Sequence, residues 1–372
     1  MKPKRPPEGG RTGRPARLTT ASYNPRAASV EGFRRLSDLL EGEPSRLDWL
    51  VEPIFTTDAL GVLAGPPKRS LKTWGVLDLT VAAASGTPWF GAFPVRRPGP
   101  VLLVVPEGGE ASLRRRVEAI LSSLGDASPS DLDIALFSTR SVDLRDRRDL
   151  EGLEAACREV EPVLIACDSL YLALPGVDTR KLTEAGNVLA RLSDLAREAG
   201  AAVVLSHHTN RRTDARGTDR ISGAGPAEWA SALLVGEPRS HHVVGGRTVA
   251  TVRWDLTARD VPSLAFDLVT EIGPAGEDAT GPLSYSVAVR MVDPDAADAE
   301  ASLDFAARRV LDALRGYGSL GAGIRDIAEA LASDGRGRPL RHETITGLLG
   351  NLADRGLADE AEGRWWADGR AV

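Results

Sequence analysis

Short apolar runs alternate with longer amphipathic segments from residue 60 onward, and this alternation limits what the chain can fold into more than any other feature. Five of the runs have the length of buried strands, and they lie at 60–64, 101–105, 134–137, 163–167 and 202–206. The amphipathic segments have helical periodicity and lie near 72–84, 110–124, 150–159 and 180–199. Strands and helices that alternate in this way form a parallel sheet with crossover helices, so the sequence predicts an α/β core.

The second half of the chain follows other patterns. Three apolar segments without intervening helices suit antiparallel strands that extend the sheet, and they lie near 232–235, 249–254 and 264–268. An acidic stretch separates them from amphipathic helices at 303–316, 323–332 and 342–355 and from a segment with strand character at 357–366. Three helices followed by a short hairpin is the order of a winged-helix domain.

These patterns divide the 372 residues into four parts. Residues 1–30 are rich in Pro, Gly and Arg without apolar periodicity, so we expect a disordered basic arm. Residues 31–290 form the predicted core, 291–301 a linker and 302–372 the winged-helix domain. A hydrophobic content of 42% is enough to bury a sizeable core.

Composition argues against several classes of protein. No run approaches the roughly 20 apolar residues that span a bilayer, and the basic N-terminus lacks the apolar stretch of a signal peptide. Cys157 and Cys167 are too few for a disulfide framework and have no partners at metal-ligand spacing. We therefore expect a soluble cytoplasmic protein that does not contact membranes. The net charge of −6 argues against a surface that coats nucleic acid broadly, although nine Lys and Arg lie within residues 1–35.

A candidate phosphate-binding loop connects the first predicted strand to the next helix. Such a loop needs backbone N–H groups that point inward, a lysine for the β- and γ-phosphates and a hydroxyl for Mg²⁺. Lys72 and Thr73 supply the last two, and the start of the helix adds partial positive charge. The candidate nucleotide-binding residues are Gly65, Pro66, Pro67, Lys68, Arg69, Ser70, Leu71, Lys72, Thr73 and Trp74.

The use of lysine in this loop is informative because only five of the 46 basic residues are lysines, and two of them lie here. An ammonium is a compact point charge and a guanidinium a wide planar fork, so a tight phosphate loop has room for the first. Two features depart from the usual loop: Leu71 stands in place of the glycine before Lys72, and Gly65 precedes Lys72 by seven residues. The alternative is a Pro-rich strand–helix turn with an incidental lysine.

Candidate catalytic side chains follow the other predicted strands. Glu107 is placed to polarise an attacking water, whereas the role of a helix N-terminal carboxylate suits Glu110 better. Asp168 ends a strand of the Walker B form, whose carboxylate supports Mg²⁺. His208 is either a γ-phosphate sensor or one of two adjacent surface histidines. Because ligands bind at the carboxyl ends of parallel strands, the order Lys, Glu, Asp, His favours one shared site.

Residues from about 47 to 270 resemble the RepA-like branch of the RecA/DnaB superfamily, which includes hexameric plasmid replicative helicases. The resembling stretches are 48–51, 65–74, 84–95, 107–116, 164–170 and 206–210. This family tolerates residues other than glycine before the loop lysine. The resemblance implies a RecA-like P-loop core in which Lys72 and Thr73 bind ATP and Mg²⁺ and Asp168 supports Mg²⁺. It also implies that Glu107 activates water and that His208 senses phosphate.

Ring ATPases of this type place an arginine from a neighbouring subunit on the γ-phosphate. The candidates here are Arg216 and Arg220, in the polar loop after His208, and Arg253 and Arg259, near the later strands. We rank Arg259 first. The resemblance therefore implies a homo-oligomeric ring, expected to be a hexamer.

The predicted winged-helix domain has basic residues around the start of its third helix, the end that meets DNA in helix-turn-helix docking. They are Arg336, Arg338, Arg341 and His342, and the acidic Asp354, Asp359 and Glu360 follow closely. A winged helix that contacts protein is the alternative. The leading hypothesis is an ATP-driven motor on DNA, expected to be single-stranded, and specifically a replicative helicase. A DNA-binding initiator or regulator switched by ATP and a degenerate nucleotide-binding scaffold are the other hypotheses.

Overall fold

The computed structural model describes two compact units, Met1–Arg46 and Leu47–Val372. In the first unit the described residues form a short helix, α1 (Leu36–Leu40). Within the described part, every helix is too short or too polar to span a bilayer. The residues described are 35–41, 46–105, 109–125, 130, 132–137, 143–170, 182–210, 221, 225–244, 246–276, 278, 280–292, 300, 302–317, 321–335 and 337–367.

The second unit opens with a small antiparallel pair, β1 (Trp49–Val51) and β2 (Phe55–Thr56). Parallel strands and helices then alternate as the sequence predicts. The strands are β3 (Leu60–Gly65), β4 (Val101–Val104), β5 (Ile134–Phe137), β6 (Leu164–Cys167) and β7 (Ala202–His208). The helices are α2 (Lys72–Ser85), α3 (Glu110–Ser123), α4 (Arg147–Val160), α5 (Leu182–Ala199) and the short α6 (Pro226–Trp229).

Four more strands extend the sheet on the other side of β3. They are β8 (Ala232–Val244), β9 (Arg247–Ala258), β10 (Leu264–Pro274) and β11 (Leu283–Met291). Among the described residues the sheet has nine strands in the order β11-β10-β9-β8-β3-β7-β6-β4-β5. β3 runs parallel to both β7 and β8, while β8 to β11 pair antiparallel with one another.

The parallel strands are buried on both faces. In β4, Val101 and Leu103 pack in one apolar cluster with α2 and α3, while Leu102 and Val104 pack in a second cluster with α4 and α5. This alternation explains why the strands appear in the sequence as continuous apolar runs. A mixed sheet with helices on both faces fits the RecA-like core expected from the sequence.

The antiparallel half differs from the prediction in length. β8 was predicted only as far as 235, and β11 was not predicted. Beyond Val235, the last residue paired with Ala64 of β3, β8 pairs with β9 alone and carries polar residues. A search for continuous apolar runs misses such a strand, because one of its edges and parts of its faces lie outside the core.

The described C-terminal residues form three helices and a hairpin. These are α7 (Phe305–Gly316), α8 (Ile324–Ser333), α9 (His342–Asp354), β12 (Ala358–Ala361) and β13 (Arg364–Ala367). They enclose an apolar core of their own, and an isolated bridge joins Ala322 to Trp365 of the hairpin. The helices lie within two residues of their predicted positions.

A buried ion cluster connects these helices to the sheet. Glu300, only 3% exposed, accepts two hydrogen bonds of 2.9 Å from Arg315 of α7. Its carboxylate also lies 3.0 Å from Arg239 of β8 and 3.7 Å from Arg253 of β9. Burial alone would raise the pKa of Glu300, but the hydrogen bonds and charges of Arg315, with the charges of Arg239 and Arg253, lower it to about 2. We call these four residues the Glu300 cluster; Glu300 lies in the segment predicted as a linker.

Candidate functional site

The loop after β3 achieves its tight turn without a glycine before the lysine. Leu71, directly before α2, has φ 54° and ψ 27°, which is the left-handed conformation. Lys68 is also left-handed, with φ 61°. A left-handed backbone costs a residue other than glycine about 1 kcal/mol. Leu71 therefore takes a backbone conformation that glycine adopts without steric cost, and the first departure noted in the sequence has a structural explanation.

Gly65 is required where β3 enters the loop. A Cβ atom at this position would lie 2.5 Å from both Cβ and Oγ of Ser70 and 3.2 Å from the carbonyl oxygen of Gly236. Ser70 is fully buried, and its hydroxyl donates a 2.7 Å hydrogen bond to the carbonyl of Pro66. The loop is therefore closed over its own start, and a side chain at Gly65 would open it.

The ammonium of Lys72 is surrounded by oxygen atoms of this loop. It donates to the carbonyls of Gly65 at 2.7 Å and Pro66 at 3.2 Å and to the hydroxyl of Ser70 at 3.1 Å. Lys72 is 7% exposed, and burial lowers its pKa to about 8, although the negative charge of Asp168 opposes that shift. Three acceptors around one nitrogen match the three protons of an ammonium. The wide fork of an arginine would not fit the same space.

Asp168 reaches the same site from the end of β6. It is buried, and its Oδ1 accepts a 2.5 Å hydrogen bond from the hydroxyl of Ser206 on β7. The parallel register of β6 and β7 pairs Cys167 with Leu205, so the residues that follow them stand side by side. Ser206 holds the carboxylate in place, a role that its position in the sequence does not indicate.

His208 ends β7, at the register position of Gly65. Side chains along a strand point to opposite faces in turn. Ser206 and His208 accordingly line the cleft of Lys72, and the buried His207 between them does not. The structure thus places the second of the two histidines, the one chosen from the sequence, at the site.

These residues line one cleft of about 680 Å³ at the carboxyl ends of the parallel strands. Of the residues predicted for the site, it is lined by Pro67, Lys68, Ser70, Leu71, Lys72, Thr73, Trp74, Asp168 and His208. Gly65 and Pro66 contribute through the carbonyls that hold Lys72, while Arg69 is exposed beside the cleft. Glu107 lies outside the described residues. α3 begins at Glu110, which puts that carboxylate at a helix N-terminus, as expected.

Helix α3 also contributes lining residues, which the sequence does not predict. Ser112, Leu113 and Arg116 face the cleft from this helix. Arg116 is half-buried and forms no hydrogen bond or ion pair with any described residue. One arginine among 41 gives no signal of its own, and only the position of α3 beside α2 identifies it.

The arginines considered for a neighbouring site lie elsewhere. Arg253 is 3% exposed, and its guanidinium forms two hydrogen bonds with Asp267, so it cannot reach another protomer and the hypothesis is wrong for this residue. Arg259 is exposed and donates to the carbonyl of Glu228. Its backbone pairs with Ser231, beside Leu60, at the end of β3 opposite to Gly65. Arg216 and Arg220 lie outside the described residues.

The donor set of the cleft fits a nucleoside triphosphate with Mg²⁺. A volume of about 680 Å³ is within the range of small-molecule sites. The hydroxyl of Thr73 and the carboxylate of Asp168 are the hard oxygen ligands that Mg²⁺ prefers, and Lys72 supplies positive charge for phosphate oxygens. The ammonium of Lys72, at the N-terminus of α2 where backbone N–H groups lack helical partners, has the chemistry of a phosphate site.

Comparison with known proteins places this cleft in a family. Residues 28–214, which are 187 of the 372, match the model of a family described as AAA domain. The chain belongs to this AAA domain family. The matched part of the AAA protein contains Lys72, Asp168 and His208 and ends before β8. No curated protein matches the AAA chain.

Among solved structures, the AAA protein is similar to a DnaB-like replicative helicase whose interactions with primase were also determined. The two chains are 15% identical and superpose with a TM-score of 0.41, over 57% of this chain and 55% of that one. The AAA protein thus matches little more than half the length of the helicase.

Proposed function

We propose that this AAA protein binds ATP with Mg²⁺ in the cleft of Lys72, hydrolyses it and uses the reaction to drive a motor on DNA. The observation that carries the proposal is the buried ammonium of Lys72, held at the start of α2 in the same cleft as Asp168. Burying a charged group that has no partner of opposite charge costs free energy, and such groups cluster at functional sites. In this structure its hydrogen-bond partners are neutral loop oxygens, and the charge remains to attract phosphate.

Each predicted residue takes a role in this proposal. Lys72 and the loop N–H groups bind the β- and γ-phosphates, and Trp74 contacts the nucleoside. Thr73 and Asp168 would hold Mg²⁺, which neutralises charge that develops on the phosphates. Ser206 keeps the Asp168 carboxylate oriented through its 2.5 Å hydrogen bond. Glu107 accepts a proton from the attacking water, and His208 responds to the γ-phosphate.

The proposal also names the kind of motor that ATP hydrolysis would drive. We infer a RepA-like replicative helicase that assembles as a hexameric ring, with Arg259 donated to the neighbouring cleft. The C-terminal elements have the order of a winged helix, including the bridge between Ala322 and Trp365. At the start of α9, Arg338, Arg341 and His342 are exposed, which supports contact with DNA phosphates.

A DNA-binding initiator or regulator switched by ATP is the second candidate. The Glu300 cluster favours it, because it ties the C-terminal helices to the β8–β9 hairpin. The carbonyl of Gly236 in that hairpin lies against Gly65 of the phosphate loop. Strand-displacement assays with and without ATP separate the two candidates, since only the motor unwinds duplex DNA.

The central experiment replaces Lys72 with alanine. We expect Lys72→Ala to abolish ATP hydrolysis and weaken nucleotide binding while the thermal melting curve stays close to that of the wild type. The control is Arg147→Ala, an exposed residue of α4 outside the cleft, which should leave turnover unchanged. Undiminished hydrolysis by Lys72→Ala would remove the proposal.

A further inference from the structure

One face of α2 holds a tyrosine of β11 at two points. Trp74 and Asp78 are four residues apart on α2 and therefore lie on the same side of the helix. The ring of Tyr285 stacks on the indole of Trp74, with ring centroids 5.0 Å apart and planes inclined by 6°. Its hydroxyl donates a 3.0 Å hydrogen bond to Oδ2 of Asp78. The tyrosine is thereby fixed in both position and ring orientation.

Asp78 is an unusual residue for this place. It is 7% exposed, and its other oxygen accepts a 3.0 Å hydrogen bond from the backbone N–H of Phe90, which has φ 53°. Burial raises the pKa of Asp78 to about 6, although the hydrogen bonds from Phe90 and Tyr285 oppose that shift. A buried carboxylate is a costly way to fill space, since an apolar side chain would do so at lower cost. Its contribution is the orientation of the groups that donate to it.

The stacked pair of Trp74 and Tyr285 adjoins the cleft. Trp74 lines the cleft, whereas Tyr285 and Asp78 are buried and do not. Trp74 packs with Leu77 and Leu113 in one apolar cluster, and all three line the cleft together with the polar Lys72, Asp168 and Ser206. A nucleoside triphosphate also combines an aromatic base with charged phosphates. The apolar side chains around Trp74 therefore suit the base.

We propose that Tyr285 and Asp78 are positioning residues, which hold the indole of Trp74 as a preorganised wall for the base of the nucleotide. This inference rests on the proposed ATP site and adds the residues that set its affinity for the nucleoside part. An indole already fixed against a second ring loses little conformational freedom when a ligand contacts it. If Tyr285 or Asp78 no longer holds its partner, the indole of Trp74 gains conformational freedom. Nucleotide binding must then restrict that freedom, which weakens the affinity.

The test compares two probes, ATP and inorganic tripolyphosphate, by calorimetric titration of the full-length chain. Tyr285→Phe keeps the ring and removes the hydroxyl. We expect it to weaken ATP binding roughly three- to tenfold, the size of one lost hydrogen bond, and to leave tripolyphosphate binding unchanged. Asp78→Asn should give the same pattern. The matched control is Tyr317→Phe, which removes a tyrosine hydroxyl bonded to the carbonyl of Asp326 in the C-terminal helices and should change neither affinity.

A double variant tests whether Tyr285 acts through Trp74. Trp74→Ala should weaken ATP binding more than Tyr285→Phe, and adding Tyr285→Phe to it should cause no further loss, because the two changes remove one interaction. If Trp74→Ala does not fold, Trp74→Leu, which also removes the aromatic ring, replaces it in the same cycle. Additive losses, or equal losses of ATP and tripolyphosphate in Tyr285→Phe, would overturn the inference.

Lys72→Ala separates this inference from the proposed function. It should weaken both probes, since both carry the phosphates. If the wild type binds both and Lys72→Ala weakens both, while Tyr285→Phe binds ATP normally, the inference about Tyr285 fails and the ATP site stands. If the wild type binds neither probe, the proposed function itself fails.

Discussion

Lys72 is the residue whose titration reports directly on the site. Its pKa of about 8 lies below the usual 10.5 because burial disfavours the charged form. The ammonium is thus charged at neutral pH and becomes neutral as the pH rises through about 8. Between about 8 and 10.5 the unfolded chain carries more protons than the folded one, so this group makes the free energy of unfolding rise with pH in that window.

The first prediction follows from this titration. We expect the affinity for ATP to fall as the pH rises from 7 to 9, because the neutral amine no longer attracts phosphate. Binding at pH 8 should take up protons, since bound phosphate raises the pKa of the ammonium. Calorimetric titration in buffers with different ionisation enthalpies measures both effects. Lys72→Arg should bind weakly at every pH in this range, and a wild-type affinity equal at pH 7 and 9 would contradict the prediction.

The sequence predicts the residues of the cleft only where residue type and strand position act together. Lys72, Thr73, Asp168 and His208 follow predicted strands, and the structure gathers them in one cleft. Ser206 was missed because a serine inside an apolar strand carries no catalytic signal, and its role depends on the register of β6 and β7. Tyr285 was missed because β11, which contains it, was not predicted.

At the scale of elements, the β8–β9 hairpin is where sequence patterns fail. Its outer part carries Glu237, Arg239 and His241 where a buried strand would have apolar residues. Trp254 packs against Gly236, where a Cβ atom would lie 2.9 Å from the indole. The hairpin is stabilised by contacts distant in sequence, including the Glu300 cluster, and such contacts leave no periodic signal. The α/β core was predictable because its strands are buried on both faces.

The second prediction concerns the Glu300 cluster. Glu300→Gln leaves three arginines around a neutral side chain, so we expect the free energy of unfolding to fall by about 3 kcal/mol. The pKa of Glu300 is lowered from 4.5 to about 2, so its stabilising effect is complete above about 4.5 and is lost as the pH falls towards 2. Denaturant titrations of the wild type and of Glu300→Gln at pH 7 and pH 3 measure this difference in the free energy of unfolding.

The matched control is Glu271→Gln, which breaks the half-exposed ion pair with Arg247 in the same sheet. Glu271→Gln should lower the free energy of unfolding by less than about 1 kcal/mol, because solvent screens exposed ion pairs. Equal losses in the two variants, or a Glu300→Gln difference that grows at pH 3, would show that the cluster does not stabilise the attachment of the C-terminal helices.

At the scale of the whole molecule, the ring that we propose would divide the catalytic groups between two protomers. Arg259 lies at the opposite end of β3 from Gly65, so it cannot serve the cleft of its own chain. A ring in which each protomer offers this side to the next would bring Arg259 to a neighbouring cleft. An arginine supplied in this way raises phosphoryl-transfer rates about 10³–10⁵-fold in other P-loop enzymes.

The third prediction is that activity requires assembly. Lys72→Ala and Arg259→Ala should each be inactive alone, while their mixture should regain part of the ATPase activity, because one mixed interface has an intact cleft and an intact arginine. A mixture of Lys72→Ala with Glu107→Gln is the control: both changes affect the same half of the interface, so no activity should return. Steady-state turnover across protein concentrations completes the test, and a fully active monomer in sedimentation would contradict it.

The left-handed Leu71 has a consequence for how such sites are recognised. A search pattern that demands glycine before the lysine assumes that no residue with a side chain can adopt the backbone conformation of this turn. Leu71 adopts that conformation at the turn into α2. Leucine reaches that angle for about 1 kcal/mol, which is less than the roughly 5–15 kcal/mol by which a domain is stable. Natural variation can therefore replace this glycine without losing the turn. It cannot replace Gly65, where a Cβ atom would collide with Ser70.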